Sequence, residues 1–200
     1  MRIIAGEHRG RAILGPADAG TTRPITDRVK ESLFNRLTSL GLLQPDGDNA
    51  EWAVVDVFSG TGSLGLEALS RGAARCTFVD MDREAVRRLR ANIDELGLGD
   101  RAQVVQGSAL AGYWSAALRP GSVQVAFIDP PYALMEEDKT RRSVLDMVAQ
   151  LRPILEPGGV AMVRTPREIE LPELEPFDGP AAANYGGMRL HFYQAPLEAA

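Results

Sequence analysis

The chain has 200 residues, of which 44% are hydrophobic and 24% charged, and its formal net charge at pH 7 is −5. Such a chain is long enough for one full-sized domain, and its composition is that of an ordinary globular protein. No apolar run is long enough to span a bilayer, and no apolar signal-peptide segment opens the chain, so we expect a cytoplasmic protein without a membrane partner. The single cysteine, Cys76, excludes an internal disulfide and a zinc cluster built on cysteines, and we expect no metal.

Positive charge is concentrated near the N-terminus. Residues 1–36 carry seven Arg or Lys and four Asp or Glu, whereas residues 37–200 carry 15 and 23. A basic end on an acidic body indicates either local contact with a polyanion or a solvated surface with scattered charge, and the asymmetry alone does not decide between them.

The first predicted elements are a small hairpin and a helix. Residues 2–5 and 11–14 flank a glycine-containing turn, which predicts a β-hairpin. A helix is predicted from a cap at Thr26 or Asp27 to about Leu40, because apolar residues recur there at helical spacing. The apolar residues of that face are Val29, Leu33, Phe34 and Leu37.

From residue 52 onward, predicted strands and helices alternate. The predicted strands are residues 52–58, 75–79, 102–106, 123–128 and 159–164, followed by 171–177 and 189–194. The predicted helices are residues 62–71, 83–96, 108–118 and 141–151. Alternation of this kind predicts a parallel sheet covered on both faces, and the last two strands predict an antiparallel hairpin at one sheet edge. The standard dinucleotide-binding order would instead continue with a helix between strands.

A glycine-rich turn follows the first of these strands. Residues 56–65 are Asp-Val-Phe-Ser-Gly-Thr-Gly-Ser-Leu-Gly. Gly60 and Gly62 permit positive φ and close approach of the backbone to a ligand. Asp80, at the end of the next strand, is placed to accept the ribose hydroxyls of an adenosine. The pattern therefore predicts a nucleoside cofactor, and the alternative is a turn that only joins a strand to a helix.

Turns of this geometry bind both NAD and S-adenosylmethionine, so the turn alone does not identify the cofactor. Asp56 ends the strand that precedes the turn. An acid at this position helps to place the methionine portion of the cofactor in methyltransferases, and its alternative role is to cap the following helix.

A second motif, Asp129-Pro130-Pro131-Tyr132, follows the strand predicted at 123–128. The carboxyl end of a strand is where open α/β sheets bind ligands, and two prolines leave the turn with carbonyl oxygens and a carboxylate but few donors. The Asp129 carboxylate and the Pro130 carbonyl are candidate acceptors for an exocyclic amino group, and Tyr132 can stack on a base. The alternative is an ordinary strand-ending turn. The combination with the glycine turn favours methyl transfer from S-adenosylmethionine to an amino nitrogen of a nucleobase.

The sequence resembles RsmD-type small-subunit ribosomal RNA methyltransferases, which methylate N2 of one guanine. The resemblance covers nearly the whole chain and rests on residues 2–6, 9–11, 23–35, 58–73 and 129–132. It implies an α/β fold of the class I S-adenosylmethionine-dependent methyltransferases, with a Rossmann-like seven-stranded sheet whose last strands are antiparallel. It also implies two parts, a hairpin and helix extension that contacts RNA at 1–45 and a methyltransferase domain at 46–200.

The resemblance further implies a substrate and a set of site residues. The substrate is 16S ribosomal RNA in an assembled or partly assembled small subunit, and the enzyme is a monomer. The catalytic residues are Asp129, Pro130, Pro131 and Tyr132. The residues that bind the cofactor are Asp56, Phe58, Ser59, Gly60, Thr61, Gly62, Asp80, Ser108 and Asp129. The candidates for RNA phosphates are Arg9, Arg11, Arg23, Arg28 and Lys30, with local salt bridges as the alternative.

Two positions depart from the family pattern. Asp80 stands where the family commonly has Glu, and Ser108 stands where an Asp or Asn commonly contacts the adenine amino group. The shorter acid still reaches a ribose, and the Ser108 hydroxyl can accept the hydrogen bond from the adenine amino group.

Two other functions stay open at this point. One is an amino-methyltransferase that acts on adenine N6 or cytosine N4 of DNA or another RNA, because the catalytic turn serves any exocyclic amine. The other is a non-catalytic RNA-binding assembly factor, which loss of Asp129 or of the glycines would favour, and all of these are present.

Overall fold

The computed structural model describes residues 1–17, 25–43 and 52–197. The strands are β1 Ala53–Val57, β2 Arg75–Asp80, β3 Ala102–Gln106, β4 Val123–Ile128, β5 Leu155–Pro166, β6 Asp178–Tyr185 and β7 Met188–Gln194. The helices are α1 Asp27–Ser39, α2 Ser63–Ser70, α3 Arg83–Leu96, α4 Tyr132–Glu136 and α5 Asp138–Gln150. Within the described ranges, no helix is both long and apolar enough to cross a membrane.

The strands form one seven-stranded sheet in the order β3-β2-β1-β4-β5-β7-β6. The first five strands of this order pair in parallel, and β7 pairs antiparallel with both β5 and β6. The predicted fold class is confirmed, including the antiparallel strands at one edge. The strand order reverses between β1 and β4, which places the ligand crevice of the fold at the carboxyl ends of these two strands.

Apolar side chains fill both faces of the sheet, as expected for buried parallel strands. On one face, α1, α2 and α3 pack with the sheet in a single cluster, in which the Phe34 and Phe127 rings lie 5.7 Å apart. On the other face, α5 and the segment around Trp114 cover β1, β4 and β5. The boundary predicted at residue 45 lies outside the described residues and stays a prediction, but α1 clearly shares its core with the sheet.

The N-terminal hairpin is shorter than its sequence predicts. Arg2 and Ala12 form an isolated antiparallel bridge. The Ile3 amide donates to the Arg11 carbonyl at 3.0 Å, and the Ile13 amide donates to the Met1 carbonyl at 3.0 Å. The two arms therefore pair as predicted, but over a single bridge.

Local sequence signals explain where the helices start and stop. The Thr26 side chain caps α1 by accepting from the Val29 amide at 3.4 Å. The Asp82 side chain caps α3 in the same way, by accepting from the Ala85 amide at 2.7 Å, and Gly97 ends that helix with a φ of 67°. Capping side chains and a left-handed glycine satisfy backbone groups that have no partner inside the helix.

Two predicted elements are wrong. Residues 108–118 form short 3-10 segments, Ala109–Ala111 and Tyr113–Ala117, because Gly112 between them adopts a φ of 71° that ends a helical turn. The strand predicted at 171–177 is irregular, and the edge strand is β6, which begins at Asp178. Leu171 and Phe177 made this stretch look like a strand, but both pack into the core from a non-repetitive segment.

The remaining differences concern element length. Strand β5 is longer than the prediction at 159–164, and α5 begins three residues before the helix predicted at 141–151. Helix α4, directly after the two prolines of the second motif, was not predicted.

Candidate active site

The loop of residues 58–62 joins β1 to α2 through an unusual run of backbone conformations. Phe58, Gly60 and Gly62 have φ values of 61°, 54° and 87°. The Ser59 amide donates to the Val79 carbonyl at 3.1 Å, which fastens the loop to the end of β2. A positive φ at a phenylalanine is costly and is found mainly at turns and ligand sites, so the loop stores strain in the crevice of the fold.

The glycines of this region have different tasks. A Cβ added at Gly65 would lie 2.3 Å from the Phe78 ring, and one at Gly62 would lie 2.4 Å from the Leu89 side chain. These two positions need glycine because α2 packs tightly on its neighbours. A Cβ added at Gly60 would meet nothing within 4 Å, so the backbone there is open to a ligand.

Asp80 lies beside this loop, as the sequence predicted. Its Oδ2 accepts from the Gly60 amide at 2.7 Å, and its Oδ1 accepts from the Asp82 amide at 2.8 Å. A carboxylate offers about four acceptor sites. The two backbone bonds therefore orient Asp80 and leave acceptor capacity for ribose hydroxyls.

Asp56 has a structural task that the sequence allowed as an alternative. Its side chain is buried, and its Oδ2 accepts from the Gly65 amide at 2.8 Å, so it caps the first turn of α2. Burial raises the pKa of Asp56 well above its usual value, and the charges of Asp129 and Asp80 raise it further. The capping bond does not test whether Asp56 also contacts a cofactor, which stays a prediction.

Ser59 places a buried hydroxyl in the glycine loop. Its Oγ is buried and has no hydrogen-bond partner within the described part of the chain. A buried hydroxyl without a partner costs about 1–3 kcal/mol, which a polar group bound in the loop would recover. Thr61, next in the loop, is also buried, and its carbonyl accepts from the Asn92 side chain at 3.0 Å.

The end of β3 forms the next wall of the crevice. The Gly107 amide donates to the Asp80 carbonyl at 2.9 Å, which brings Ser108, the next residue, to the same end of the sheet as Asp80. Two large apolar side chains are exposed nearby, Met81 at 70% and Tyr113 at 57%. Neither residue was predicted from the sequence. Met81 directly follows β2, whereas Tyr113 follows β3 by seven residues, and a Cβ added at Gly107 would lie 1.7 Å from the Tyr113 hydroxyl.

The second motif lies at the same edge of the sheet. The Asp129 amide donates to the Val57 carbonyl at 3.2 Å, so the turn is fastened to the strand that carries the glycine loop. Pro131 precedes the first turn of α4, and Tyr132 is the first residue of that helix. The fold therefore brings together the two motifs that are about 70 residues apart in the sequence.

Arg164 of β5 is a site residue that the sequence analysis missed. Its side chain is buried, and its Nε donates to Asp129 Oδ1. Its guanidinium carbon lies 5.3 Å from the centre of the Tyr132 ring. Burial raises the pKa of Asp129, and the Arg164 guanidinium pulls it back down.

The candidate RNA contacts divide into exposed and paired side chains. Arg9 and Arg28 are exposed, and Arg9 lines a cleft of about 260 Å³ between the N-terminal segment and α1. Arg11 is exposed but binds Glu95 through its Nη2 at 2.8 Å, which is a surface salt bridge between residues far apart in the chain. Arg23 lies outside the described residues.

The assignment of Lys30 to an RNA phosphate is wrong. Its side chain is 2% exposed, and its Nζ lies 2.8 Å from the Arg2 carbonyl and 3.2 Å from Glu67 Oε2. Desolvation lowers the pKa of Lys30, and the nearby Glu67 carboxylate raises it. Lys30 therefore holds the N-terminal segment against α2 and is not available at the surface.

No group of three or more His, Cys, Asp or Glu side chains suited to a metal ion occurs within residues 1–17, 25–43 and 52–197. The expectation that the protein needs no metal stays a prediction.

Comparison with known proteins places the chain in a family. Residues 1–194 match the sequence model of the family described as Conserved hypothetical protein 95. The chain is 38% identical over 174 residues to YlbH of Bacillus subtilis, and the matched part is 86% of each protein. It is 39% identical over 139 residues to Ribosomal RNA small subunit methyltransferase D of Escherichia coli, covering 68% of this chain and 64%, just under two thirds, of that protein.

Solved structures with the same fold give a consistent result. The Escherichia coli protein yhhF superimposes over 99% of both chains with a TM-score of 0.76 and 30% identity. An RNA methyltransferase from Salinibacter ruber, solved with S-adenosyl-L-homocysteine, shares the fold alone, with a TM-score of 0.56 and 16% identity over 88% of this chain and 96% of that chain. From the match along residues 1–194 and the identity to these relatives, the chain belongs to this family, that of the RsmD-type methyltransferases.

Proposed function

We propose that this protein transfers a methyl group from S-adenosylmethionine to the exocyclic N2 amino group of a guanine in 16S ribosomal RNA. The observation that carries the proposal is the position of the Asp129-Pro130-Pro131-Tyr132 turn. It lies at the carboxyl end of β4, fastened to β1 beside the glycine loop. A relative 39% identical over 139 residues is named Ribosomal RNA small subunit methyltransferase D, which supports ribosomal RNA as the substrate.

The crevice beside the glycine loop suits an adenosine-containing cofactor. Asp80 is oriented by two backbone amides and has acceptor capacity for ribose hydroxyls. The unpartnered Ser59 hydroxyl and the open backbone at Gly60 offer polar contacts to the amino-acid portion. When bound, S-adenosylmethionine supplies the methyl group from a positively charged sulfonium.

The exposed side chains beside β3 suit the adenine ring. Met81 and Tyr113 present apolar surface next to Asp80, and a flat ring between them would remove that surface from water. The Ser108 hydroxyl is the polar group in reach of the adenine edge. The loss of the usual acid or amide at this position leaves one hydrogen bond where the family commonly has a stronger one.

The catalytic turn acts on the amino group. The lone pair of an exocyclic amine is delocalised into its ring, which makes the nitrogen a poor nucleophile. Acceptors at the Asp129 carboxylate and the Pro130 carbonyl would bind its two hydrogens and favour a pyramidal nitrogen. Because positive charge builds on the nitrogen during transfer, these acceptors act mainly in the transition state. Asp129 can then accept the proton that the methylated nitrogen releases.

The base reaches this turn only when it is unstacked. Tyr132 lies at the start of α4 beside Asp129, where its ring can stack on an extruded base. Base-to-aromatic stacking is worth about 1–3 kcal/mol, enough to offset part of the cost of extrusion.

The surface around the N-terminal segment would contact the RNA backbone. Arg9, Arg11 and Arg28 are the exposed arginines among the described candidates, and Arg11 is paired with Glu95. Arg9 and Arg28 lie on the basic end of the chain. The protein would act in the cytoplasm as a monomer on an assembled or partly assembled small subunit.

The test is methyl transfer from labelled S-adenosylmethionine to three acceptors. These are small ribosomal subunits from cells lacking the protein, protein-free 16S ribosomal RNA and duplex DNA. Label in the subunits, with little in the other two, is the expected result. Label in DNA would keep the chemistry and reject the substrate. Binding of subunits without transfer to any acceptor would favour an assembly factor.

A further inference from the structure

The register of the sheet places a buried cation beside the catalytic turn. Strands β4 and β5 pair in parallel with Ile128 opposite Val163. Asp129 directly follows β4, and Arg164 is the next residue of β5; their side chains form an ion pair between Arg164 Nε and Asp129 Oδ1. The pairing of these two central strands therefore brings the two side chains together.

This ion pair is enclosed on one side and open on the other. The Arg164 side chain is 8% exposed, whereas the Asp129 side chain is 21% exposed. A buried guanidinium needs an anionic partner to offset its desolvation, and Asp129 supplies it. Because a carboxylate can accept about four hydrogen bonds, Asp129 can still accept from a substrate at its exposed side. Arg164 is the more deeply buried member of the pair.

The same guanidinium packs on the aromatic residue of the motif. The distance of 5.3 Å between the Arg164 guanidinium carbon and the Tyr132 ring centre is within the range of a cation–π contact. A guanidinium on one face of the ring fixes its plane, and a base would stack on the opposite face. One side chain thus contacts both the acceptor and the stacking residue.

We infer that Arg164 is the positioning residue of the catalytic turn, which holds the Asp129 carboxylate in a fixed orientation as an acceptor and supports the Tyr132 ring. This inference rests on the proposed function, because it assigns a task to Arg164 in that reaction. Arg164 itself need not touch the substrate.

The charges around Asp129 explain why a cation is needed. Arg164 on β5 pairs with Asp129, the charge of Asp129 also acts on Asp56 of β1, and Tyr132 on α4 contacts Arg164. Burial raises the pKa of Asp129, and Arg164 opposes that rise. Without Arg164, Asp129 would hold its proton to higher pH. A protonated carboxyl is a weaker acceptor for an amino hydrogen and cannot take up the proton that the methylated nitrogen releases.

The experiment compares Arg164→Met and Arg164→Lys with a matched control, Arg167→Met. Arg167 lies just beyond the end of β5 and is exposed. The pKa of Asp129 is followed by ¹³C NMR of protein labelled at the aspartate carboxyls, and its resonance is identified by its loss in Asp129→Asn. The rate of methyl transfer is measured against pH in parallel, and thermal unfolding reports on folding.

In Arg164→Met the pKa of Asp129 should rise by about 1–3 units, and the acid limb of the rate profile should move to higher pH with it. In Arg164→Lys the charge remains but the bond geometry is lost, so the pKa should stay near its original value while the rate falls at least about tenfold at every pH. Arg167→Met should change neither quantity.

Two outcomes would overturn the inference. One is an unchanged Asp129 pKa in a folded Arg164→Met variant. The other, which decides the matter if that variant does not fold, is an unchanged transfer rate in Arg164→Lys. A failure of the unaltered protein to methylate any RNA is a different result, since it would reject the proposed function while the NMR titration still tests the ion pair.

Discussion

Two buried ion pairs in this molecule differ in how completely the carboxylate is enclosed. Glu67 is 0% exposed, and its partners Lys30 and Arg71 are 2% and 9% exposed. The carboxylate of the Asp129–Arg164 pair is 21% exposed and lies at the carboxyl edge of the sheet. Both pairs offset the burial of a cation, but only the second leaves an acceptor within reach of a ligand.

The remaining contacts of Glu67 show what full enclosure achieves. Its carboxylate accepts from the Ile4 amide at 2.8 Å and from the Ala5 amide at 3.0 Å, in addition to the two cations. Glu67 therefore joins the N-terminal segment to α2 through Ile4 and Ala5, and it also pairs with Lys30 of α1 and with Arg71 at the end of α2. The difference between the pairs teaches that an enclosed carboxylate with several donors is structural, whereas a carboxylate left open at a sheet edge is available for chemistry.

Removing the charge of the enclosed Glu67 carboxylate should have the largest effect on stability. Glu67→Gln leaves Lys30 and Arg71 buried without a compensating charge, so we expect a loss of about 3–5 kcal/mol in the free energy of unfolding. Urea denaturation measures it. The matched control is Glu84→Gln, since the Glu84 carboxylate also binds two arginines but does so at the surface. Equal denaturation midpoints for the two variants would contradict the structural role of Glu67.

Removing the carboxylate of the partly exposed Asp129–Arg164 pair should reduce turnover more than stability. Asp129→Asn removes the charged acceptor from the catalytic turn, so we expect single-turnover methyl transfer to slow by about 10²–10³-fold. Cofactor affinity, measured by calorimetry, should stay close to that of the unaltered protein. Asp146→Asn, at an exposed position of α5, serves as the control. An unchanged rate in Asp129→Asn would remove Asp129 from the reaction.

Replacing exposed cations of the basic end should change the salt dependence of RNA binding, whereas replacing the buried Lys30 should not. Replacing Arg9 and Arg28 by alanine should lower the slope of log K against log salt for RNA binding by about one for each arginine that contacts a phosphate. Lys30→Met should lower the stability but leave that slope unchanged. A reduced slope in a folded Lys30→Met variant would show that Lys30 does contact RNA.

A buried histidine, which is neutral at pH 7, should have the smallest effect on stability among these buried groups. His191 is buried beside the Thr165 hydroxyl at 3.0 Å, and burial lowers its pKa to about 4. An unfolded histidine has a pKa of about 6.5, so the unfolded state binds a proton first as the pH falls. Stability should therefore be full above pH 6.5 and be lost toward pH 4.

Between pH 7 and pH 5.5 this loss should be about 1 kcal/mol. His191→Gln should remove that part of the pH dependence in urea denaturation. If the dependence of the variant on pH matches that of the unaltered protein, another group is responsible for it.

Sequence patterns predicted those features that depend on residues close together in the chain. The apolar run of β4 and the capped helix α3 were predicted with their correct bounds, because strand burial and helix capping are local signals. The proximity of Asp80 to the glycine loop could also be predicted, since adjacent parallel strands place their carboxyl ends together.

Features that depend on strand register and on packing could not be predicted from the sequence. Arg164 is 35 residues from Asp129, and only the pairing of β4 with β5 makes them neighbours. Lys30 lies in a basic segment that favoured RNA contact, and its partner Glu67 is on a different helix. The edge strand β6 was misplaced because its partner β7, rather than its own apolar pattern, determines where pairing starts.

The most direct test of the central claim is the identity of the methylated nucleoside. Small subunits from cells lacking this protein are incubated with it and labelled S-adenosylmethionine, the RNA is digested, and the labelled nucleoside is identified by mass spectrometry. The account predicts N2-methylguanosine with the unaltered protein and its near absence with Asp129→Asn. Label in an adenosine or a cytidine would contradict the assignment of the guanine amino group.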